Sequence, residues 1–116
     1  MGRAQERWEQ LRSAWESNDF DAIEELYTQE AVYLEPYNPP HNGNLLITAY
    51  LKDFLGNKQE LKITVKRILE DDSLARVAVE WAMSYTAAGR RWNNLPRASF
   101  IEVDHRGLIV YHRDYT

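Results

Sequence analysis

Apolar positions recur along the first half of the chain at helical spacing and along the second half at strand spacing. Trp8, Leu11 and Trp15 stand at i, i+3 and i+7 among Glu, Gln and Arg residues, which predicts an amphipathic helix from about Arg3 to Glu16. Ser17-Asn18-Asp19 interrupts it, and Asn18 or Asp19 can cap a short second helix with Ile23, Leu26 and Tyr27 on one face. Asp21, Glu24 and Glu25 favour the positive end of that helix. A short apolar strand is expected at about Ala31 to Glu35, followed by a loop held by Pro36, Pro39, Pro40 and Gly43. Ile47, Tyr50, Leu51 and Phe54 then repeat at i, i+3, i+4 and i+7, a third helix stopped by Gly56-Asn57.

From Glu60 onward the period becomes two. Leu61, Ile63 and Val65 alternate with Lys62, Thr64 and Lys66, and Asp71-Asp72-Ser73 turns the chain into Val77, Val79, Trp81, Met83 and Tyr85. Ala87-Ala88-Gly89-Arg90 reads as a hairpin turn. A further strand covers roughly Arg91 to Val103, with Pro96 marking a bulge or an edge. Asp104-His105-Arg106-Gly107 turns into a last strand from Leu108 to Tyr115. Three helices followed by antiparallel strands is an α+β order in which the helices cover one face of a curled sheet and form a cone. Alternation sends Val79, Trp81, Met83 and Tyr85 inward, and Ala78, Glu80, Ala82 and Ser84 outward.

Composition narrows the function classes. Nothing along the 116 residues shifts enough to mark a boundary, so one domain over 1–116 is expected. A net charge of −4 without any Lys/Arg run argues against nucleic acid as a partner, because phosphate neutralisation supplies most of such binding. The absence of Cys and the scatter of three His residues leave no metal-ligand spacing, so neither metal nor cofactor is expected. No apolar run approaches membrane-spanning length and the first residues lack an apolar leader core, so a cytoplasmic protein without membrane contact is expected. Four Trp and seven Tyr either fill the core or line a ligand cavity.

Glu35 is the first candidate for chemistry. It closes an apolar run and precedes a proline, so its backbone is held away from helix and its side chain is aimed by a stiff segment.

The order of elements, the Glu35-Pro36 strand end, the proline turn closed by Gly43, and the final Gly107-Leu108-Ile109-Val110-Tyr111-His112-Arg113-Asp114-Tyr115 together resemble the NTF2-like (SnoaL-like) superfamily over nearly the whole chain. The resemblance implies its cone fold. Its members include isomerases, cyclases, epoxide hydrolases, dehydratases and binding domains, so the fold alone does not name an activity. In steroid Δ5-isomerases of this superfamily a proton-shuttling acid falls on Glu35, but their oxyanion donors fall on Leu11 and about Ala98, which cannot donate. A standard steroid isomerase is therefore disfavoured. Limonene epoxide hydrolases resemble the chain at Val32–Pro40 and His112–Tyr115, and their water-holding Tyr, Asn and Asp fall on Tyr33, Glu35 and Asp114. Their Arg and Asp on a middle strand fall on Val79 and Trp81, so the acid that protonates the epoxide is missing.

The resemblance puts His112 and Asp114 inside the cone, giving Glu35, Asp114, His112 and Tyr33 as candidate catalytic residues. A buried carboxyl has a raised pKa and can serve as a base or acid near neutrality. Structural alternatives stay open: Glu35 capping the proline turn, Asp114 paired with an Arg at the rim, and His112 a satisfied core histidine. Trp15, Tyr50, Phe54, Trp81, Met83, Tyr85 and Phe100 would line an aromatic cavity for a small hydrophobic or planar molecule, or else fill the cone. Trp92 and Arg97 lie near a rim, as lid, ligand contact or dimer contact. The small outward residues would suit a homodimer through the outer sheet face, as is common in this superfamily. The expected function is a cofactor-independent SnoaL-like acid/base enzyme of hydrolase, isomerase or cyclase type. The alternative is a ligand-binding or dimerisation module of the same fold without chemistry.

Overall fold

The computed structural model describes Met1–Thr116. Its elements are α1 (Arg3–Ser17), α2 (Phe20–Leu26), β1 (Tyr27–Leu34), β2 (His41–Asn42), α3 (Asn44–Gly56), β3 (Gln59–Asp71), a single 3-10 turn (Asp72–Leu74), β4 (Arg76–Ala87), β5 (Arg90–Val103) and β6 (Ile109–Tyr115). The strands form one six-stranded sheet in the order β2-β1-β6-β5-β4-β3. All neighbours are antiparallel except β1 and β6, which run parallel. This is the expected α+β architecture of helices over a mostly antiparallel sheet.

Helix α1 buries Ala4, Trp8, Leu11, Ala14 and Trp15 on one stripe. Trp8 and Trp15 pack on Trp81 of β4, with ring centroids 5.6 and 5.9 Å away. Gly2, at the N-cap, has no side chain to satisfy the first backbone N–H groups of α1. Carboxylates from the end of β3 and the turn after it do so instead: Glu70 accepts from the N–H groups of Gly2 and Gln5, both at 2.8 Å, and Asp72 from that of Arg3 at 3.2 Å. Negative charge at a helix N-terminus is favourable, so these contacts fasten α1 across the sheet. At its other end Asn18 adopts a left-handed conformation (φ 55°), and Asp19 caps α2 by accepting from Ala22 N–H at 3.1 Å.

Three features differ from the sequence expectations, and a fourth is made specific. Strand β1 starts at Tyr27 rather than Ala31, because α2 ends at Leu26 and Tyr27 is already extended. The proline loop returns as β2, which pairs Tyr33 with His41 and Val32 with Asn42. Pro96 lies in an interior strand but past the last β5–β6 pair, Ala98 with Tyr115, and the bulge foreseen beside it falls where the register slips between Met83 and Tyr85, opposite left-handed Asn94 (φ 55°). Phe100, expected in the cone, faces outward. Register aligns Ala78, Phe100 and Arg113 on one face and Val79, Ser99 and Asp114 on the other, so the interior positions of β5 are Arg97, Ser99, Ile101 and Val103. The Phe100 ring meets Tyr111 edge-on at 6.0 Å on that outer face.

Candidate functional site

The parallel pairing of β1 with β6 sets Tyr33 beside His112, and the antiparallel pairing of β6 with β5 sets Asp114 beside Ser99. Asp114 is completely buried. Its Oδ1 accepts from Ser99 Oγ–H at 2.5 Å and from His112 Nε2–H at 2.7 Å; its Oδ2 accepts from Tyr33 O–H at 2.6 Å and from Arg97 Nη2–H at 3.4 Å. A carboxylate has about four acceptor positions, and all are used here. Burial pushes the Asp114 carboxyl up, but the His112 and Arg97 charges and the Ser99 hydrogen bond outweigh it and hold the pKa down at about 2. The raised pKa expected for a buried base is thus reversed at this residue.

The network continues outward from Asp114. Ser99 Oγ accepts from Trp81 Nε1–H at 2.9 Å, which fixes the Ser99 hydroxyl toward the carboxylate. The Tyr27 hydroxyl lies 2.7 Å from His112 Nδ1, and the two rings stack with an interplanar angle of 9°. Because Nε2 donates to a carboxylate, Nδ1 accepts from Tyr27 O–H whenever the ring is neutral. Burial, and then the Asp114 charge, push the hydroxyls of Tyr27 and Tyr33 well above the ordinary tyrosine pKa, so both remain donors.

Glu35 sits just beyond the end of β1, its side chain 6% exposed. Its Oε1 accepts from the Tyr50 hydroxyl and from Asn38 Nδ2–H at 3.3 Å, and its Oε2 from Arg97 Nη2–H at 3.2 Å. The Asn38 bond is the turn-cap contact foreseen as an alternative for Glu35, and Asp114 does pair with an Arg, in the interior rather than at an open rim. One guanidinium therefore joins both acids. Burial disfavours the charge on Arg97, but Asp114, Tyr33 and Glu35 outweigh it, so its pKa lies above the ordinary arginine value. Its Cζ stands 5.5 Å from the ring centres of both Trp81 and Phe54.

The aromatic residues expected around a cavity divide into two groups. Trp15, Trp81 and Met83 are core, each no more than 2% exposed, and Trp15 also stacks on His112 at 6.2 Å. Tyr50, Phe54 and Tyr85 are half-buried and surround the mouth of the cone, with His41 stacked on Tyr50 at 4.1 Å and Tyr50 on Phe54 at 6.1 Å. The deep part of the cone is thus packed with rings. Two larger clefts reach the network from other sides: one of about 630 Å³ along Glu24–Glu30 and the Asp104 turn touches Tyr27, and one of about 590 Å³ over Glu80, Pro96, Ala98 and Tyr115 touches Trp81 and Arg97.

Ser99 and Tyr27 contact the candidate residues directly but were not named from sequence, and Arg97 was named only as a rim residue. The alternation Ser99, Ile101, Val103 carried the signal that Arg97 points inward. No group of three or more His, Asp or Glu side chains is arranged to hold a metal ion.

A profile of the SnoaL-like domain matches residues 8–112, and the chain belongs to this family. Among solved structures it is similar to an LEH-like epoxide hydrolase from M. tuberculosis, with 23% identity over 97% of this chain and 81% of that one and a TM-score of 0.81. It is also similar to a ketosteroid isomerase-like protein from Catenulispora acidiphila DSM 44928, solved in complex with trimethylamine (15% identity, 96% and 85% covered, TM-score 0.82). A third is PrhC from Penicillium brasilianum NBRC 6234 (15% identity, 97% and 79% covered, TM-score 0.84). At these identities the likeness is one of fold. No curated protein sequence matches the chain. No helix is long and apolar enough to cross a membrane.

Proposed function

We propose that this SnoaL-like domain is a cofactor-independent acid/base enzyme in which Glu35 moves the proton and Asp114 is the fixed charge that holds the machinery in place. The carrying observation is the unequal satisfaction of the two acids. Asp114 has no acceptor position left, whereas Glu35 keeps one on Oε2 and stands at the mouth rather than at the bottom of the cone. The substrate is a small, largely apolar molecule that docks against Tyr50, Phe54 and Tyr85. Resemblance to limonene epoxide hydrolases adds support: the arginine absent from Val79 is supplied in space by Arg97, directly across from Trp81 on the next strand. In this reading Glu35, linked through Arg97 to Asp114, takes the place of the missing acid. Hydrolase, isomerase and cyclase chemistry all fit a proton-moving carboxyl.

The test is a panel of epoxides, enolisable ketones and polyketide-like rings, with Glu35→Gln as the control. A general acid or base contributes about 10²–10⁴ in rate, so Glu35→Gln should lower kcat by at least about a hundredfold in a variant that keeps the native circular dichroism spectrum. Undiminished turnover by Glu35→Gln would overturn the assignment. The packed interior favours a second reading, a non-catalytic module that dimerises through the outer face, where Ala78, Ala98, Phe100 and Tyr115 surround a cleft of about 340 Å³. Absence of turnover across the panel, together with a dimer in solution, would support that reading.

A further inference from the structure

Asn42 is the only asparagine in the chain followed by glycine; the others precede Asp19, Pro39, Leu45, Lys58, Asn94 and Leu95. It is exposed and ends the two-residue strand β2 at the edge of the sheet. Cyclisation of an asparagine side chain requires the next backbone nitrogen to reach Cγ, and a Cβ on the following residue obstructs that approach. Gly43 has none. In the folded chain the Gly43 N–H donates to the Ala31 carbonyl at 2.7 Å, and while that bond stands the nitrogen is not free to attack. Little holds it there. Strand β2 pairs with β1 only at Val32 and Tyr33, Gly43 gives α3 no side-chain cap, and Leu45 and Leu46 beside it are exposed. Edge segments with so few contacts open locally at far lower cost than the whole fold. Besides this pairing, β2 is attached through His41, whose ring stacks on Tyr50 at 4.1 Å and lies 6.2 Å from that of Tyr33.

We propose that Asn42-Gly43 is a site of spontaneous covalent modification, reached by local opening of β2, that converts Asn42 to aspartate and isoaspartate and in the second form loosens the mouth of the cone. The Gly43 nitrogen, giving up its proton, attacks Asn42 Cγ; the N–Cγ bond forms, the Cγ–Nδ2 bond breaks, and Nδ2 leaves with that proton as ammonia. Water then opens the ring. Attack at Cγ breaks the new bond and leaves aspartate, whereas attack at the Asn42 backbone carbonyl carbon breaks the original peptide bond and leaves the chain running through Cγ as isoaspartate. Nothing is oxidised or reduced, and water is the only co-reactant. The two products act differently. Aspartate places a negative charge one residue before the N-cap of α3, where the helix dipole favours it. Isoaspartate adds a methylene to the backbone, so the pairing of His41 with Tyr33 and the bond from Gly43 to Ala31 no longer fit the same spacing. His41 then leaves Tyr50, and the stacked pair of Tyr50 and Phe54 loses its support on that side. The inference is independent of the role given to Glu35.

Peptide mapping by mass spectrometry tests this on the full chain, incubated at mildly alkaline pH in parallel with and without denaturing urea. Asn42 should gain about one mass unit while the other asparagines of the folded chain do not. The folded chain should react about tenfold to a thousandfold more slowly than the unfolded one, the range of a local opening. His41→Ala should speed the folded reaction about two- to tenfold, the factor one ring pair contributes to the closed state, and leave the rate in urea unchanged. If His41→Ala does not fold, Tyr50→Leu removes the same ring contact from the other side. In the isoaspartyl product, separated by ion exchange, the Ile47 amide that donates to the Gly43 carbonyl should exchange with solvent at least about tenfold faster than in the unmodified chain, and in Asn42→Asp it should not. Equal rates in folded and unfolded chains, slowing so great that only global unfolding accounts for it, a folded rate indifferent to loss of the ring contact, or an isoaspartyl form with the Ile47 amide still protected would each overturn the proposal.

Discussion

Replacing Asp114 by Asn keeps the shape of the side chain and removes its charge, so the effect should depend on pH in a defined way. The amide has one acceptor oxygen, while four donors converge on the carboxylate. One donor pair must therefore face an NH₂ group in a site with no water access. Breaking a buried, hydrogen-bonded charge set by removing one partner costs about 3–5 kcal/mol, and that is the expected loss at pH 7. The wild-type carboxyl titrates at about 2 in the folded state instead of the ordinary 3.8. At about 1.4 kcal/mol per pKa unit, this corresponds to roughly 2.5 kcal/mol of pH-dependent stability. A depressed folded pKa means that this contribution is complete above about pH 5 and disappears as pH falls toward 2. Urea denaturation of both proteins at intervals from pH 7 to pH 2 measures it, with Glu35, Arg97, His112 and the two buried tyrosines present in each. The gap between wild type and Asp114→Asn should be widest near neutrality and should narrow by about 2 kcal/mol between pH 5 and pH 2. A gap that stays constant with pH, or an Asn variant as stable as wild type at pH 7, would refute the account of Asp114 as a saturated, ionised anchor.

Two further outcomes follow from single contacts. Tyr27→Phe removes the only hydrogen-bond partner of His112 Nδ1, and leaving a buried polar atom unsatisfied should cost about 1–3 kcal/mol in urea denaturation. Gly107→Ala should cost about 1–2 kcal/mol, because Gly107 has φ +78° and an added Cβ would stand 2.7 Å from Arg7 Nη2; the midpoint of chemical denaturation reports it.

Much of the fold was legible because its signals are local. Trp8, Leu11 and Trp15, the Ile47–Phe54 repeat and the alternation through Val77–Tyr85 each mark an element by period alone, and Ala88-Gly89 marks the hairpin. Elements without a period were not legible. Two residues, His41 and Asn42, cannot display an alternation, so β2 was read as loop. Tyr27 fits both a helix face and a strand start, and only its position under His112 decides between them. The site was legible in part for a related reason. Glu35 is marked by the proline after it, and His112 and Asp114 by sharing a face of the last strand. Phe100 was misplaced, and the link from Arg97 to Asp114 left unread, because β5 contains both Phe100 and Ile101, either of which could be the inward residue. Its register is set by pairing with Asp114 and Trp81, residues far away in sequence.

The pairing of β1 with β6 has a consequence for how the protein folds. The bonds from Tyr27 to His112 and from Tyr33 to Asp114 join residues 85 and 81 positions apart. Closing such long loops costs entropy before any contact repays it, so contacts of this separation form late and slow the overall folding rate. No intermediate that lacks β6 can hold the anchoring carboxylate, and Arg97 would then have only Glu35 for a partner. The depressed pKa of Asp114 therefore comes into being at the end of folding, and a measurement of proton release during refolding near pH 3 would time the docking of the last strand.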